Sequence, residues 1–265
     1  MEDYQHPSEK TAFEALRKLP FIDKLTAQFI KYIVSISALP NIQGNCFRIN
    51  RNTSPEVYKM YLTALERLDM PREYPLYARE EYQYNACAFG GDKPFICINS
   101  SILRDFEPDE ITAVLGHELG HIKGDHTIFD MMARMLDVVV TKCHIPGGAA
   151  AVVMFRVYLM NWFRAHEYSA DRAGMIACGG SAPQLSVMTK FMGMKEKMPY
   201  ISVTEEDILD QKTYFDEVNN DVVAKLICLF QLNGMSHPFT ISRIHELYKW
   251  NESGDFNALI EKYAQ

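Results

Sequence analysis

DEITAVLGHELGHIKGDH, residues 109–126, follows directly on Pro108, and the two together mark the start of a helix. Proline suits the first helical position, where its missing N–H would have no partner, and Asp109 and Glu110 complement the positive end of the helix dipole. The helix is expected to reach about Lys123. On it His117 and His121 stand four positions apart, so both rings leave one face and can bind one metal ion. Glu118 is turned by about 100° from His117, which lets its carboxylate reach a water on the metal instead of the metal itself. The plain alternative is a helix with surface histidines.

Two histidines and a neighbouring glutamate still need a third ligand. One class of site takes a histidine six residues after the second, but position 127 is Thr, and His126 misses by one. His126 can approach the site as a supporting group or simply begin the next helix. A carboxylate from a separate helix is the better candidate. Within HEYSADRAG, residues 166–174, Glu167 and Asp171 are four apart and share a helical face. Glu167 can ligate the metal while Asp171 accepts an N–H from a ligand histidine, fixing its tautomer and raising its basicity. Alone, the pair would read as a solvated face beside Arg164 and Arg172. Beside the first motif it reads as part of one site.

Outward from these motifs the pattern is mostly helical. Upstream, helices are expected over about 9–19, over 22–38 with Pro40 closing it, and over 55–69 behind the Ser54-Pro55 start signal. Short β-like runs occur at 46–49, 76–79, 86–89 and 95–99, and Gly90-Gly91-Asp92 is a turn signal that makes the last two a hairpin. Downstream, helices are expected over 126–143, 149–177, 184–196, 205–232, 239–250 and 255–264. No repeat or low-complexity linker divides the chain. The expected fold is α+β and mainly helical, with a three- or four-stranded sheet over the helix that bears His117 and His121. Residues 1–50 form an N-terminal helical layer and 51–265 the main domain, packed as one compact unit.

Four motifs, NACAFGG (85–91), the stretch at 109–126, HEYSADRAG and HPFTISRIHEL (237–247), occur in the order in which a known family carries them. Over about residues 54 to 250 the chain resembles the HtpX and CAAX-prenyl-protease family of gluzincin metallopeptidases. The resemblance implies a zincin-like fold and a zinc metalloendopeptidase, with one Zn2+ per chain held by His117, His121 and Glu167. It implies Glu118 as general base and Asp171 as the supporting carboxylate. It also implies that His237 and Arg243 shape the site. A histidine near a reacting carbonyl can donate a hydrogen bond to the developing oxyanion, and an arginine can pair with a buried ligand carboxylate. Asn85, Ala86, Cys87, Ala88 and Phe89 correspond to an edge strand along which an extended peptide adds. The family commonly has an aromatic where this chain has Cys87. His6, His144, His166 and His245 lack such a context and read as structural or exposed.

Composition narrows the partners. A net charge of -7 and a pI near 5.6 argue against nucleic-acid binding and leave a peptide or protein as the expected substrate. The six cysteines are widely spaced, without a CxxC pair, and the acidic N-terminus has no secretion signal, so a cytoplasmic location with reduced thiols is expected. Membrane association is the second choice. Residues 25–39 are too short to span a bilayer and carry Lys31, while 145–163 are long enough but hold Arg156 near the middle. On the residues alone, a peptide-binding or chaperone-like zincin and a membrane-associated relative also stay open. No motif speaks to the oligomeric state.

Overall fold

The computed structural model describes residues 3–19, 22–35, 39–89, 93–134, 148–194, 203–224 and 237–264. Three helices lead into the first strand: α1 (Pro7–Arg17), α2 (Ile22–Ser35) and α3 (Leu39–Asn45). The His6 side chain caps α1 by accepting the Ser8 N–H. α2 is described as far as Ser35, the rest of the expected helix over 22–38 lying outside the described residues, and Pro40 opens a further helix. It lies in the first turn of α3, where a missing N–H breaks no helical bond.

The sheet comprises β1 (Phe47–Ile49), β2 (Leu76–Arg79), β3 (Ala86–Phe89) and β4 (Phe95–Asn99), with α4 (Pro55–Arg67) crossing between β1 and β2. Its order is β1-β2-β4-β3, antiparallel except for the β2–β4 pair. β4 is buried at every position, as befits an inner strand of apolar residues covered on both faces. β3 ends the order, paired to β4 with Ala86 opposite Ile98 and Phe89 opposite Phe95. The expected hairpin partners are therefore correct, while the turn at 90–92 lies outside the described residues.

The remaining helices are α5 (Ser100–Asp105), α6 (Pro108–Lys123), α7 (Thr127–Arg134), α8 (Gly148–Cys178), α9 (Ser181–Phe191), α10 (Glu205–Val218), α11 (Thr240–Glu252) and α12 (Asp255–Ala264). α9 begins three residues before the expected 184, because Pro183 is tolerated in a first turn, and it ends early at Phe191, the chain turning away at Gly193, whose φ is +93°. The helix expected over 205–232 breaks at Asn219-Asn220, and Asp221 accepts the N–H groups of Val223 and Ala224 to start a new turn. The expected helix over 126–143 is seen as α7, its later residues lying outside those described. No helix among the described residues is long and apolar enough to cross a membrane.

α6 is the centre of the molecule, with every residue from Glu110 to Ile122 buried. It lies against α8 almost backbone to backbone. A Cβ on Gly116 would come 2.1 Å from Ala177 Cβ, and one on Gly120 would come 2.7 Å from Ala173 Cβ. Two apolar cores meet along α8. Its residues from Phe155 to Ala165 pack with α1, α2 and α7, and those from Ala173 to Cys178 pack with α4, α6, α9, α11 and the sheet. The polar segment from His166 to Asp171 falls between them, facing α6.

Candidate active site

Both ends of α6 are fixed by local chemistry. At the start Glu107 and Glu110 form a reciprocal capping box, and Lys190 and Ser186 also donate to the Glu110 carboxylate, at 2.6 and 2.5 Å. At the end Asp125 takes a left-handed conformation, φ +53°, so that its N–H reaches the Ile122 carbonyl and the His126 N–H reaches the His121 carbonyl. That is a Schellman turn, and it folds residue 126 back onto the helix.

Between these caps the expected ligands converge. His117 Nε2 and His121 Nε2 are 3.1 Å apart, and each lies 3.6 Å from an oxygen of Glu167. Ligand atoms of the three residues all fall within 4.8 Å of one another. An ion bonded at about 2.0–2.1 Å in a tetrahedron has ligand atoms roughly 3.3 Å apart, so the donor set fits a zinc-type centre. Asp171 Oδ1 stands 3.1 Å from His117 Nδ1, on the side of the ring away from the other ligands. Arg243 grips Asp171 with two bonds, Nε to Oδ2 at 2.8 Å and Nη2 to Oδ1 at 2.5 Å, and reaches Glu167 at 3.5 Å. His237 Nδ1 lies 2.7 Å from Glu167 Oε2, with its side chain 37% exposed towards the cleft.

Burial would push both carboxylates up, yet His237, Arg243 and His121 hold Glu167 well below its ordinary range, and Arg243 and His117 do the same for Asp171. Burial would lower His117, but the Asp171 and Glu167 charges reverse this and raise it. His121 is pushed well below its ordinary value, by burial first and then by His117. The directions favour an ionised Glu167 and a neutral His121, the forms a metal needs from its ligands, while the raised His117 has to give up a proton when an ion binds.

Glu118 is buried beside His117 and lines a cleft of about 570 Å3. The wall of that cleft includes Tyr84, Asn85 and Ala86 at the start of β3, apolar residues of α6 and α9 (Val114, Val187, Met188), and His237. Cys87 and Ala88 are buried, and Phe89 stacks on Phe95. Among the described residues, Cys46, Cys87, Cys97 and Cys178 are in no disulfide, and the Cys87 thiol donates to the Cys97 carbonyl at 3.7 Å.

Sequence reasoning missed part of the site. His166, read as structural or exposed, is fully buried against the His121, His126, Trp162 and Phe163 rings. His126, directly before α7, approaches the site as a supporting group, one of the two readings open to it from the sequence. Its Nδ1 lies 3.4 Å from His121 Nδ1, and its Nε2 lies 2.9 Å from Glu9 of α1. The only local sign was the Gly-Asp-His tail of the first motif, in which Asp125 can hold the left-handed turn. His6 meets Glu246 at 3.2 Å, His245 is half-buried, and His144 lies outside the described residues.

The model of peptidase family M48 matches residues 52–251. This chain belongs to that family. It is 27% identical over 267 residues to the plastoglobule-localized metallopeptidase 48 of Arabidopsis thaliana, covering 98% of this chain and 76% of that protein. It is 24% identical over 238 residues to an HtpX protease homologue of Burkholderia thailandensis, covering 80% of each. A third relative, the HtpX homologue of Methanothermobacter thermautotrophicus, is 26% identical over 175 residues. As a member of M48, the chain has a zincin-like fold and is a metallopeptidase whose substrates are peptides or proteins.

Proposed function

We propose that the chain is a zinc-dependent endopeptidase whose ion is held by His117, His121 and Glu167. The observation that carries the reading is the convergence of those three side chains within 4.8 Å, next to a cleft that Glu118 lines. When bound, zinc supplies Lewis acidity to a carbonyl and makes a nucleophile available from water near neutral pH. An extended substrate adds along β3, using the backbone groups of Asn85 to Phe89 that β4 does not take. Glu118 accepts the proton of the attacking water and delivers it to the leaving amine. His237, at the cleft mouth, donates to the oxyanion that develops at the scissile carbonyl, and its contact with Glu167 holds the ring there. Asp171 and Arg243 keep His117 and Glu167 oriented. In the N-terminal layer of residues 1–50, α1 backs the site through the contact of Glu9 with His126, and residues 51–265 carry the remaining groups. The same reading puts the enzyme in a cytoplasm-like compartment, as the widely spaced cysteines without a CxxC pair lead one to expect.

The test is Glu118→Gln. It should retain stoichiometric zinc and lose peptide cleavage by at least about a hundredfold. Cleavage at the parent rate by that variant would remove Glu118 from the reaction.

A further inference from the structure

We infer that His126 and Glu9 position the metal ligand His121, so that the N-terminal helix α1 completes the metal centre. The inference rests on the proposed reading of His117, His121 and Glu167 as ligands, and extends it to Glu9, outside the motifs of the family resemblance, and to His126, the last residue of the 109–126 stretch, to which the resemblance assigns no role.

A ligand imidazole that binds through one nitrogen keeps its proton on the other, and that N–H needs an acceptor to fix tautomer and ring orientation. His117 and His121 both turn Nε2 towards Glu167, and each leaves Nδ1 facing outwards. Opposite His117 Nδ1 stands Asp171. In the equivalent place opposite His121 Nδ1 stands His126 Nδ1, at 3.4 Å. To accept there, His126 must carry its own proton on Nε2, and that nitrogen lies 2.9 Å from Glu9 Oε1. Glu9 is 3% exposed and is itself held by Gln5 Nε2 at 2.9 Å and by the Ser169 hydroxyl. Proton assignment is consistent along the whole line: His121 N–H to His126, His126 N–H to the Glu9 carboxylate.

The backbone is arranged to allow this. The left-handed Asp125 returns residue 126 to the His121 carbonyl, and a Cβ on Gly124 would stand 2.2 Å from His126 Nε2. Glycine at 124, whose φ of -85° any residue can adopt, therefore makes room for the ring. His121, His126 and His166 also have nitrogens within 4.8 Å of one another, the spacing of a second metal site. The two arrangements exclude each other, since His121 Nδ1 cannot both donate a proton and bind an ion.

The experiment compares full-length variants loaded with Zn2+ or Co2+. His126→Phe keeps a ring between Trp162 and His166 but removes the acceptor, and it should release metal to a chelator about 10–100-fold faster and shift the visible spectrum of the Co2+ form. Gly124→Ala, which displaces the ring without removing it, should act in the same direction. His126→Gln can both accept from His121 and donate to Glu9, and should restore retention to within about fivefold of the parent. Leu16→Ala, in the α1 core and away from the line, should lower the melting temperature and leave metal retention and spectrum unchanged. Parent-like retention and spectrum in both His126→Phe and Gly124→Ala would overturn the inference. So would equal metal loss in Leu16→Ala, or two ions per parent chain. Failure of the underlying ligand assignment has a separate signature, full metal content after Glu167→Ala.

Discussion

The two histidines that α6 presents to the metal site are backed in opposite ways. Behind His117 stands a carboxylate, Asp171, gripped by the guanidinium of Arg243, so the flank is an ion pair in a region almost closed to solvent. Behind His121 stands a second imidazole, and the charge of Glu9 lies one ring further away. The first flank is built from α8 and α11, the second from the Schellman turn and α1. A strong acceptor brings a strong requirement for compensation. Asp171 needs Arg243 at bonding distance, whereas His126 passes the charge outward to a carboxylate that three neutral or switchable donors can hold.

The contrast predicts unequal costs. Arg243→Met is the largest: it leaves Asp171 buried with its main cation gone and removes one of the cations around Glu167, and breaking such a buried pair costs about 3–5 kcal/mol. Urea unfolding of the metal-free protein measures this. A loss under 1 kcal/mol would mean that water or backbone donors already satisfy that flank.

Both flanks depend equally on how closely α6 approaches α8. Gly116→Ala places a methyl 2.1 Å from Ala177 Cβ, and overpacking of this kind typically costs about 1–3 kcal/mol. If the helices part, His117 and His121 should both lose register with Glu167, so metal affinity should fall along with stability. Unchanged metal affinity at reduced stability would show that the helices yield at Ala177 and not at the site.

Acid should weaken both flanks, because Glu9, despite its burial, is also held below its ordinary value by His126 and Ser169. Asp171 and Glu167 have their carboxyl groups held below the ordinary values of 3.8 and 4.5. The unfolded chain therefore binds more protons than the folded one in that region, and stability rises with pH there. The contribution is fully present above about pH 4.5 and is lost as the pH falls through the depressed folded values. Thermal melts of the metal-free protein from pH 6 to pH 3 should fall below that point, and Asp171→Asn should flatten part of the fall. An unaltered slope in the variant would assign the acid sensitivity elsewhere.

How much of this could be read from residues follows the same division. His117, His121, Glu167 and Asp171 are spaced by four along helices, so periodicity alone brings each pair to one face. The sheet was legible from its short β-branched and aromatic runs, and β3 was placed at the edge by family resemblance. Glu9 carries no such signal, because it meets His126 across 117 residues and sits on a helix whose local pattern shows only an ordinary amphipathic stripe. The break at Asn219-Asn220 was hidden for a related reason. Two asparagines are tolerable within a helix, and only the competing cap offered by Asp221 decides against it.

Ser169 gives the smallest and most local test of the second flank. Its hydroxyl donates to Glu9 Oε2, and its oxygen accepts the His6 N–H at 2.8 Å, so one side chain joins α8 to the start of α1. Ser169→Ala removes both bonds while preserving volume closely. Glu9 keeps Gln5 and His126 as donors, so the buried charge is not abandoned and the cost should be about 1 kcal/mol. Metal retention should change by less than about threefold, because the line from His121 to Glu9 stays intact. A drop in retention matching that of His126→Phe would mean that the flank works by clamping α1 in place, and that the identity of the group behind His121 matters little.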